Sequence, residues 1–350
     1  MIQANKKIVI GIVTYNSRHK IVDCLNSVNR QNYQRELVQV VVVDNNSHDS
    51  TKEYLAEAWP QVTVIANDEN LGFATANNQI YAWAKDQADY LVLLNDDTIV
   101  EPNWLIRLAN AASGDETIAA AQSKLLLYPE KNLINSLGNS IQFLGFAFCD
   151  HYREPDSHAT TALFDLPYAS GAAVLLKLSA LQEIGLFDEK LFMYHEDVDL
   201  GWRLRLLGYR AVLDPLSVVY HKYNYSKAKY KFYYMDRNRW IVLLKNYRLA
   251  TIIVLAPMLL VMELGITAFS IKNDWFKEKL KGWSWLLSNF GYIMGERRKI
   301  QDLRRVSDRE ILSLFVGPIT NQEVENKLLA WVANPLLEVY FLLVRLIVFW

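Results

Sequence analysis

Tyr90-Leu91-Val92-Leu93-Leu94-Asn95-Asp96-Asp97-Thr98 is a short apolar run that ends in two adjacent carboxylates. Such a run predicts a buried strand, and open α/β sheets bind their ligands outside the carboxyl ends of the strands. Carboxylates placed there cannot stay charged without a cation or a hydrogen-bond network, which makes a divalent metal their natural partner. The plainer reading is a turn or cap, in which Asp97 and Thr98 start the helix that follows Pro102.

Residues 8–15, 38–44 and 62–66 are further short, β-branched apolar runs, each followed by a polar turn and a helical pattern. This alternation predicts an α/β domain with a mostly parallel sheet flanked by helices. Ser50-Thr51-Lys52-Glu53 has the spacing of a capping box at the start of the second helix. Neither a Pro/Gly/Ser-rich linker nor an internal repeat interrupts residues 1–230, which are assigned to one catalytic domain. The run after Lys7 is too short for a signal-peptide core and reads as the first strand.

Residues 231–350 differ in kind and are expected to form a helical, membrane-associating region. The 350-residue chain is 51% hydrophobic, rich for a purely soluble protein, and its net charge of -1 hides a gradient. Between 272 and 310 ten Lys or Arg stand against six Asp or Glu, among Trp275, Phe276, Trp283, Trp285, Phe290 and Tyr292. Basic residues among large aromatics suit an anionic membrane surface; the alternative is an ordinary helical core. Residues 249–271 are long enough to span a bilayer. Glu263 near their middle, however, would cost about 2.5–3.5 kcal/mol on insertion scales, and Pro257 predicts a kink. Peripheral or monotopic attachment, by an interfacial helix or a re-entrant pair, is therefore expected. Residues 335–350 are short for a span. Cys24 and Cys149 offer neither zinc spacing nor a disulfide framework, so a reducing compartment is expected.

Four polar turns would meet at the sheet's carboxyl edge. Thr14-Tyr15-Asn16-Ser17 and Asp44-Asn45-Asn46-Ser47 follow the first two strands, and a carboxylate at 44 suits a base N–H or a ribose hydroxyl, or else an Asx-turn. In the third, Asn70 to Asn78, Gly72 would allow close backbone approach and leave room for a ligand. The fourth is Asn95-Asp96-Asp97. No Gly-x-Gly-x-x-Gly or Gly-Lys-Ser/Thr is present, so a diphosphate would need a metal. Farther on, Glu196, Asp197 and Asp199 crowd the start of an amphipathic helix. Asp199 stands four residues before Arg203 and suits a structural ion pair, whereas Asp197 points to another side, free to serve as a general base. His221 ends a β-like run and suits a further metal ligand. Arg237 and Arg239 are placed either to contact a diphosphate or to form a solvated helix face.

Taken together, residues 6–240 resemble glycosyltransferase family 2, inverting nucleotide-sugar transferases of the GT-A fold, and within it bacterial rhamnosyltransferases of surface-polysaccharide assembly. The ordered motifs are Thr14-Tyr15-Asn16, Val42 to Ser47, Asn70 to Ala74, Leu94 to Thr98, Ser170-Gly171-Ala172 and Glu196-Asp197. The resemblance implies a Rossmann-like GT-A catalytic domain that moves a sugar from dTDP-rhamnose, or from a UDP-hexose or UDP-N-acetylhexosamine. The acceptor would be a polyprenyl-diphosphate-linked glycan at the cytoplasmic face of the inner membrane, with no nucleic-acid partner. Thr14, Tyr15, Asn16, Asp44, Asn46 and Gly72 would contact the donor, with Asp44 on the base. Asp97 would be the metal-ligating end of the family's Asp-x-Asp motif, holding Mg²⁺ or Mn²⁺ together with His221. Asn95 replaces the first acid of that motif, and Asp96 is placed to assist. Asp197 matches the catalytic base, and Gly171 would line the donor–acceptor junction. Two other readings compete. One is a non-catalytic nucleotide-sugar-binding scaffold; the other is a nucleotidyltransferase, which would want a Gly-rich basic loop where this chain has only Arg18 after Ser17.

Overall fold

β1 (Ile8–Thr14), β2 (Val38–Asp44), β3 (Thr63–Ala66) and β4 (Tyr90–Asn95) are the first strands of the sheet in a computed structural model that describes residues 5–157, 160–223, 229–320, 327 and 329–350. The remaining strands are β5 (Thr98–Val100), β6 (Ile118–Leu127), β7 (Ile134–Ser136), β8 (Asn139–Ile141), β9 (Ala147–Cys149), β10 (Phe164–Leu166), β11 (Ala173–Lys177) and β12 (Arg210–His221). The early helices are α1 (Arg18–Val28), α2 (Thr51–Ala58), α3 (Gly72–Ala84), α4 (Trp104–Ser113), α5 (Leu178–Ile184) and α6 (Glu196–Leu206). The main sheet runs β10-β12-β6-β11-β4-β1-β2-β3, with β5 on β12 and β7 on β6. It is mixed: β1, β2, β3 and β4 pair in parallel, while β11 lies antiparallel to both β4 and β6.

The chain clusters into two units. The first comprises residues 1–139, 149–200 and 209–224; the second comprises 140–148, 201–208 and 225–350. In the first, Ile8, Ile10, Ile12, Val92 and Leu94 pack on Ile21 and Leu25 of α1 and on Trp104 and Leu108 of α4. On the opposite face, a Cβ at Gly11 would lie 2.6 Å from Ile80 of α3, so glycine lets that helix settle against the strand. Burial on both faces is why these strands are apolar without alternation.

Register then sets the site. Thr14 is level with Asp44, and Val13 with Asn95, so the turns after β1, β2 and β4 open at one edge. Ala173, which starts β11, is level with Leu94 and brings residues 170–172 to the same edge. Parallel pairing of β12 with β6 ends at His221 opposite Leu127 and brings the histidine there too.

One local expectation fails. Ser50 sits at φ 61° and its side chain caps nothing; Asp49 instead accepts from Thr51 Oγ1 and from the Arg18 amide. Asp49 thus ties the head of α2 to the start of α1.

The second unit holds α7 (Lys229–Asn246), α8 (Leu249–Lys272), α9 (Phe276–Ser288), α10 (Phe290–Leu303), α11 (Asp308–Ser313) and α12 (Asn334–Ile347). Trp202 meets Tyr247 and Phe315 edge-on at 4.6 and 4.8 Å, and Phe143 stacks on Phe341 at 5.0 Å. α8 is one helix through Pro257 rather than a re-entrant pair, and a π-helical turn at Leu329–Ala333 leads into α12, so the last apolar helix begins before residue 335. Both stretches, Leu249–Lys272 and Leu329–Ile347, are long and apolar enough to cross a membrane.

Glu263, the charge that argued against a span, turns to neighbouring helices. Its Oε2 accepts from Arg239 (2.9 Å) and the Trp240 indole, and its Oε1 from Lys279 (2.6 Å) and the Trp283 indole. Asp236 completes the cluster by pairing with both cations. Arg237 and Arg239 are therefore buried, not on a solvated face, and their guanidinium groups bond within this unit: Arg237 with Asn238 and Tyr233, Arg239 also with the Leu144 carbonyl. Glu263→Ala should destabilise the protein by about 3 kcal/mol, the lower end for a broken buried pair because Asp236 remains. Denaturant unfolding in detergent measures it; a loss below about 1 kcal/mol, the value of an exposed pair, would contradict the network's role.

Candidate active site

β5 pairs antiparallel with β12 so that Thr98 lies opposite His221. Asp97, one residue earlier, consequently meets the imidazole, with Oδ1 3.1 Å from Nε2. The other ring nitrogen, Nδ1, is 2.7 Å from Asn135 Oδ1 on β7. A carboxamide oxygen only accepts, so Nδ1 carries a proton and Nε2 presents its lone pair toward a carboxylate. Nε2 and Asp97 Oδ1 then face the same space with lone pairs, an arrangement that a metal ion would complete. Lys20 Nζ stands 3.4 Å from the other oxygen of Asp97. Burial pushes the Asp97 carboxyl up, but His221 and Lys20 outweigh it and hold the pKa below the usual carboxylate value. Burial and then the Asp97 charge push Asp96 up to about 6, partly offset by the hydroxyls of Thr14 and Ser17.

The donor set fits Mg²⁺ or Mn²⁺: one carboxylate oxygen and one imidazole, with a second carboxylate adjacent. No group of three or more His, Cys, Asp or Glu poised for a metal occurs among the described residues. Two protein ligands suit a cation that takes its remaining oxygens from substrate phosphates and water. Asn95, in place of an acid, uses its backbone in the turn: its carbonyl accepts from Thr98 Oγ1 at 2.7 Å and its amide donates to Ala172 O at 3.0 Å.

Across that second bond lies Asp197. The Gly171 amide donates to Asp197 Oδ2 at 3.3 Å, and the Val198 amide to Oδ1 at 2.8 Å. Because residues 170–172 lead into β11 beside the end of β4, the carboxylate at the head of α6 is tied to the edge that carries Asp97. Gln122 fixes this loop, its Oε1 accepting from the Ser170 amide at 2.7 Å and from Asn139 at 2.6 Å. Burial pushes Asp197 up to about 6, against the pull of the Gly171 and Val198 amides. Glu196 rises to about 8, by burial and then by the charge of Asp197, and its buried Oε2 has no hydrogen-bond partner among the described residues. The Gly171 and Val198 amides favour the charge on Asp197, and the partnerless Glu196 is the member suited to hold a proton.

Raised folded-state values carry a stability signature. Folding favours the protonated form of Glu196, so its contribution is present at low pH and is lost as pH rises from the ordinary carboxyl range through about 8. Glu196→Gln should raise Tm above about pH 8 and leave it nearly unchanged near pH 5. Differential scanning calorimetry at the two pH values checks this, and an equal shift at both would contradict it.

The proposed donor residues line the turns after β1 and β2. Asn16 (φ 52°) donates its amide to Ser47 Oγ and accepts from the His48 amide at its Oδ1, locking the two turns together. Tyr15 is exposed, Thr14 is buried, and Asn46 adopts φ 67°. Asp44 is buried and accepts from the Ser47 amide at 3.3 Å, three residues on rather than the two of the Asx-turn that sequence reasoning offered as its alternative. Asn45 ties this turn to the third, bonding Asn67, Asn70 and the Leu71 amide. The expected ligand room at Gly72 is taken by protein: a Cβ there, at φ 82°, would lie 2.5 Å from the Phe192 ring, and Ala74 N donates to Phe192 O. Gly72 thus anchors the loop leading to Glu196 and Asp197. Lys20, Asn135 and Gln122 escaped sequence reasoning; only Gln122, a lone amide inside an apolar strand, left a signal.

Residues 9–170 match the model described as Glycosyl transferase family 2, and residues 90–347 that of Glycosyl transferase family group 2. The N-acetylglucosaminyl-diphospho-decaprenol L-rhamnosyltransferase of Mycobacterium tuberculosis is 29% identical over 218 residues, covering 55% of this chain and 69% of that protein. The O-antigen biosynthesis protein RfbC of Myxococcus xanthus is 29% identical over 200 residues, 54% of this chain and 15% of its own length. Among solved structures, GalNAc-T7 with UDP, GalNAc and Mn²⁺ superposes with a TM-score of 0.56 at 17% identity, covering 69% of this chain and 48% of that one. The likeness establishes the GT-A fold.

Proposed function

Because the chain belongs to glycosyl transferase family 2, we propose that it is an inverting, metal-assisted transferase that moves L-rhamnose from dTDP-rhamnose to a polyprenyl-diphosphate-linked glycan in bacterial surface-polysaccharide assembly. The observation that carries the reading is the Asp97–His221 pair on the same sheet edge as a Gly171-held Asp197. Asp197, ionised above about pH 6, accepts the proton of an acceptor hydroxyl as that oxygen attacks the anomeric carbon. Attack opposite the leaving group in one displacement inverts the anomeric configuration. Bound by Asp97 and His221, Mg²⁺ or Mn²⁺ would neutralise charge on the departing diphosphate. Thr14, Tyr15, Asn16, Asp44 and Asn46 receive the nucleoside, while Asn95 and Asp96 shape the turn beneath the diphosphate. Gly171 orients the base.

The mycobacterial relative's name supports rhamnose and a lipid-linked acceptor. The exposed apolar sides of α8 and α12 support attachment to a membrane, on the cytoplasmic face, where such an acceptor is assembled. The test is nucleoside diphosphate release from dTDP-rhamnose with membrane-extracted lipid acceptor. Release from dTDP-rhamnose alone supports the full reading; release only from UDP-hexose or UDP-N-acetylhexosamine keeps the transferase and replaces the donor. No turnover of any donor would favour a nucleotide-sugar-binding scaffold.

A further inference from the structure

A cleft of about 500 Å³ opens in the second unit at the amino end of α8, lined by Arg248, Leu249, Arg297, Arg298, Asp302 and Arg304 among others. Four guanidinium groups thus converge from the start of α8 and from α10 and the residue after it. Asp302 is an exposed carboxylate there. Asp308, the other nearby acid, is fully buried and already committed: it accepts from Arg304 Nη2, the Arg248 amide and Thr251 Oγ1. Counting both acids, the cleft keeps an excess of two positive charges.

Arg304 is the sharpest feature. Its side chain is 3% exposed. Nη2 also donates to the Asn246 carbonyl at 2.8 Å, yet Nε and Nη1 are buried with no hydrogen-bond partner among the described residues. Buried donors left unsatisfied are costly, so Arg304 holds unused hydrogen-bonding capacity in the wall of the cleft. Arg297 is anchored by Nη1 to the carbonyls of Leu244 and Tyr247, which fixes its fork in place before anything binds. The start of a 24-residue helix adds its partial positive charge. Directly beside the cleft, Leu249 and Ile253 are 63% and 64% exposed, and they begin an apolar stripe that continues through Leu260 and Leu264.

We propose that this cleft binds the phosphate or diphosphate head of a single-chain lipid, held by Arg248, Arg297, Arg298 and Arg304, with the hydrocarbon laid along the exposed stripe of α8. Planar guanidinium forks match phosphate oxygens, the charge excess matches a dianionic phosphate monoester or a diphosphate, and the stripe supplies the apolar track. This deepens the proposed function by giving the lipid-linked acceptor a place of attachment remote in sequence from the catalytic motifs. It rests on that reading only for the identity of the lipid.

The test uses the full chain and vesicle flotation. Phosphatidylcholine vesicles, alone or containing a polyprenyl phosphate or phosphatidylglycerol, are compared for wild type and for the Arg248→Gln/Arg298→Gln variant, with Arg304→Gln as a second variant. Wild type should prefer the polyprenyl phosphate vesicles, and the double variant should lose roughly twenty-fivefold of that affinity, about fivefold per arginine. Nucleoside diphosphate binding, read in parallel, should not change in either variant. An equal preference for phosphatidylglycerol would reduce the cleft to general surface attraction and overturn the proposal, as would competition by inorganic pyrophosphate as strong as the lipid's own binding. An unchanged preference in the variants would also overturn it. No nucleoside diphosphate binding by the wild type would instead count against the transferase reading.

Discussion

Asp197→Asn is expected to lower kcat for sugar transfer by about 10²- to 10⁴-fold, the range for removing a positioned general base. The amide keeps the shape of the side chain and an oxygen to accept from Gly171 or Val198, so the loop and helix should stay in place while the proton acceptor disappears. Nucleoside diphosphate affinity should remain within about twofold, because the substitution touches neither the turns after β1 and β2 nor Asp97. In wild type, kcat/KM should fall with unit slope as pH drops through about 6, since burial raises the Asp197 pKa and the base is lost on protonation. Asp197→Asn should flatten that limb. Near-normal turnover in the variant would remove Asp197 from the chemistry.

The second large effect belongs to Asp97. Alanine there deletes the carboxylate that faces His221 Nε2 and leaves one ligand where two stood. The metal's charge stabilisation in the transition state is worth several kcal/mol, so donor kcat/KM should fall by roughly 10³-fold or more. A graded companion is Asn135→Ala. Asn135 holds the Nδ1 proton of His221 and so fixes which nitrogen offers a lone pair. Losing such a partner typically costs about 10- to 100-fold in metal affinity. Electron paramagnetic resonance of free Mn²⁺ during titration reads this directly. Full Mn²⁺ affinity in Asn135→Ala, together with full turnover in Asp97→Ala, would dissociate the pair from any metal role.

Much of this was visible in the chain because buried parallel strands announce themselves. Residues 38–44 and 90–95 are the observed β2 and β4, since stretches covered on both faces, 41–43 and 91–94 among them, are almost wholly apolar. The acids that follow them were equally visible, and Asp97, Asp197 and His221 do come to one edge. What escaped was whatever depends on register across long separations. Asn135 reaches His221 over 86 residues, and Gln122 reaches Ser170 over 48, through pairings no local pattern encodes. Gly72 misled for a related reason: its freedom admits a close neighbour, but the sequence does not say whether that neighbour is a ligand or Phe192. Glu263 misled because hydropathy along one helix cannot see cations on two others. Arg304 likewise has an ordinary surface look in sequence, and only packing reveals its buried, unsatisfied edge.

The most direct measurement is calorimetric titration of dTDP and UDP into the wild-type protein and Asp97→Ala, each with and without Mn²⁺. Binding of a nucleoside diphosphate that requires Mn²⁺ in wild type and is lost in Asp97→Ala is the predicted result, with dTDP the tighter ligand. Binding that is indifferent both to Mn²⁺ and to Asp97→Ala would contradict a metal-bridged diphosphate at the Asp97–His221 pair.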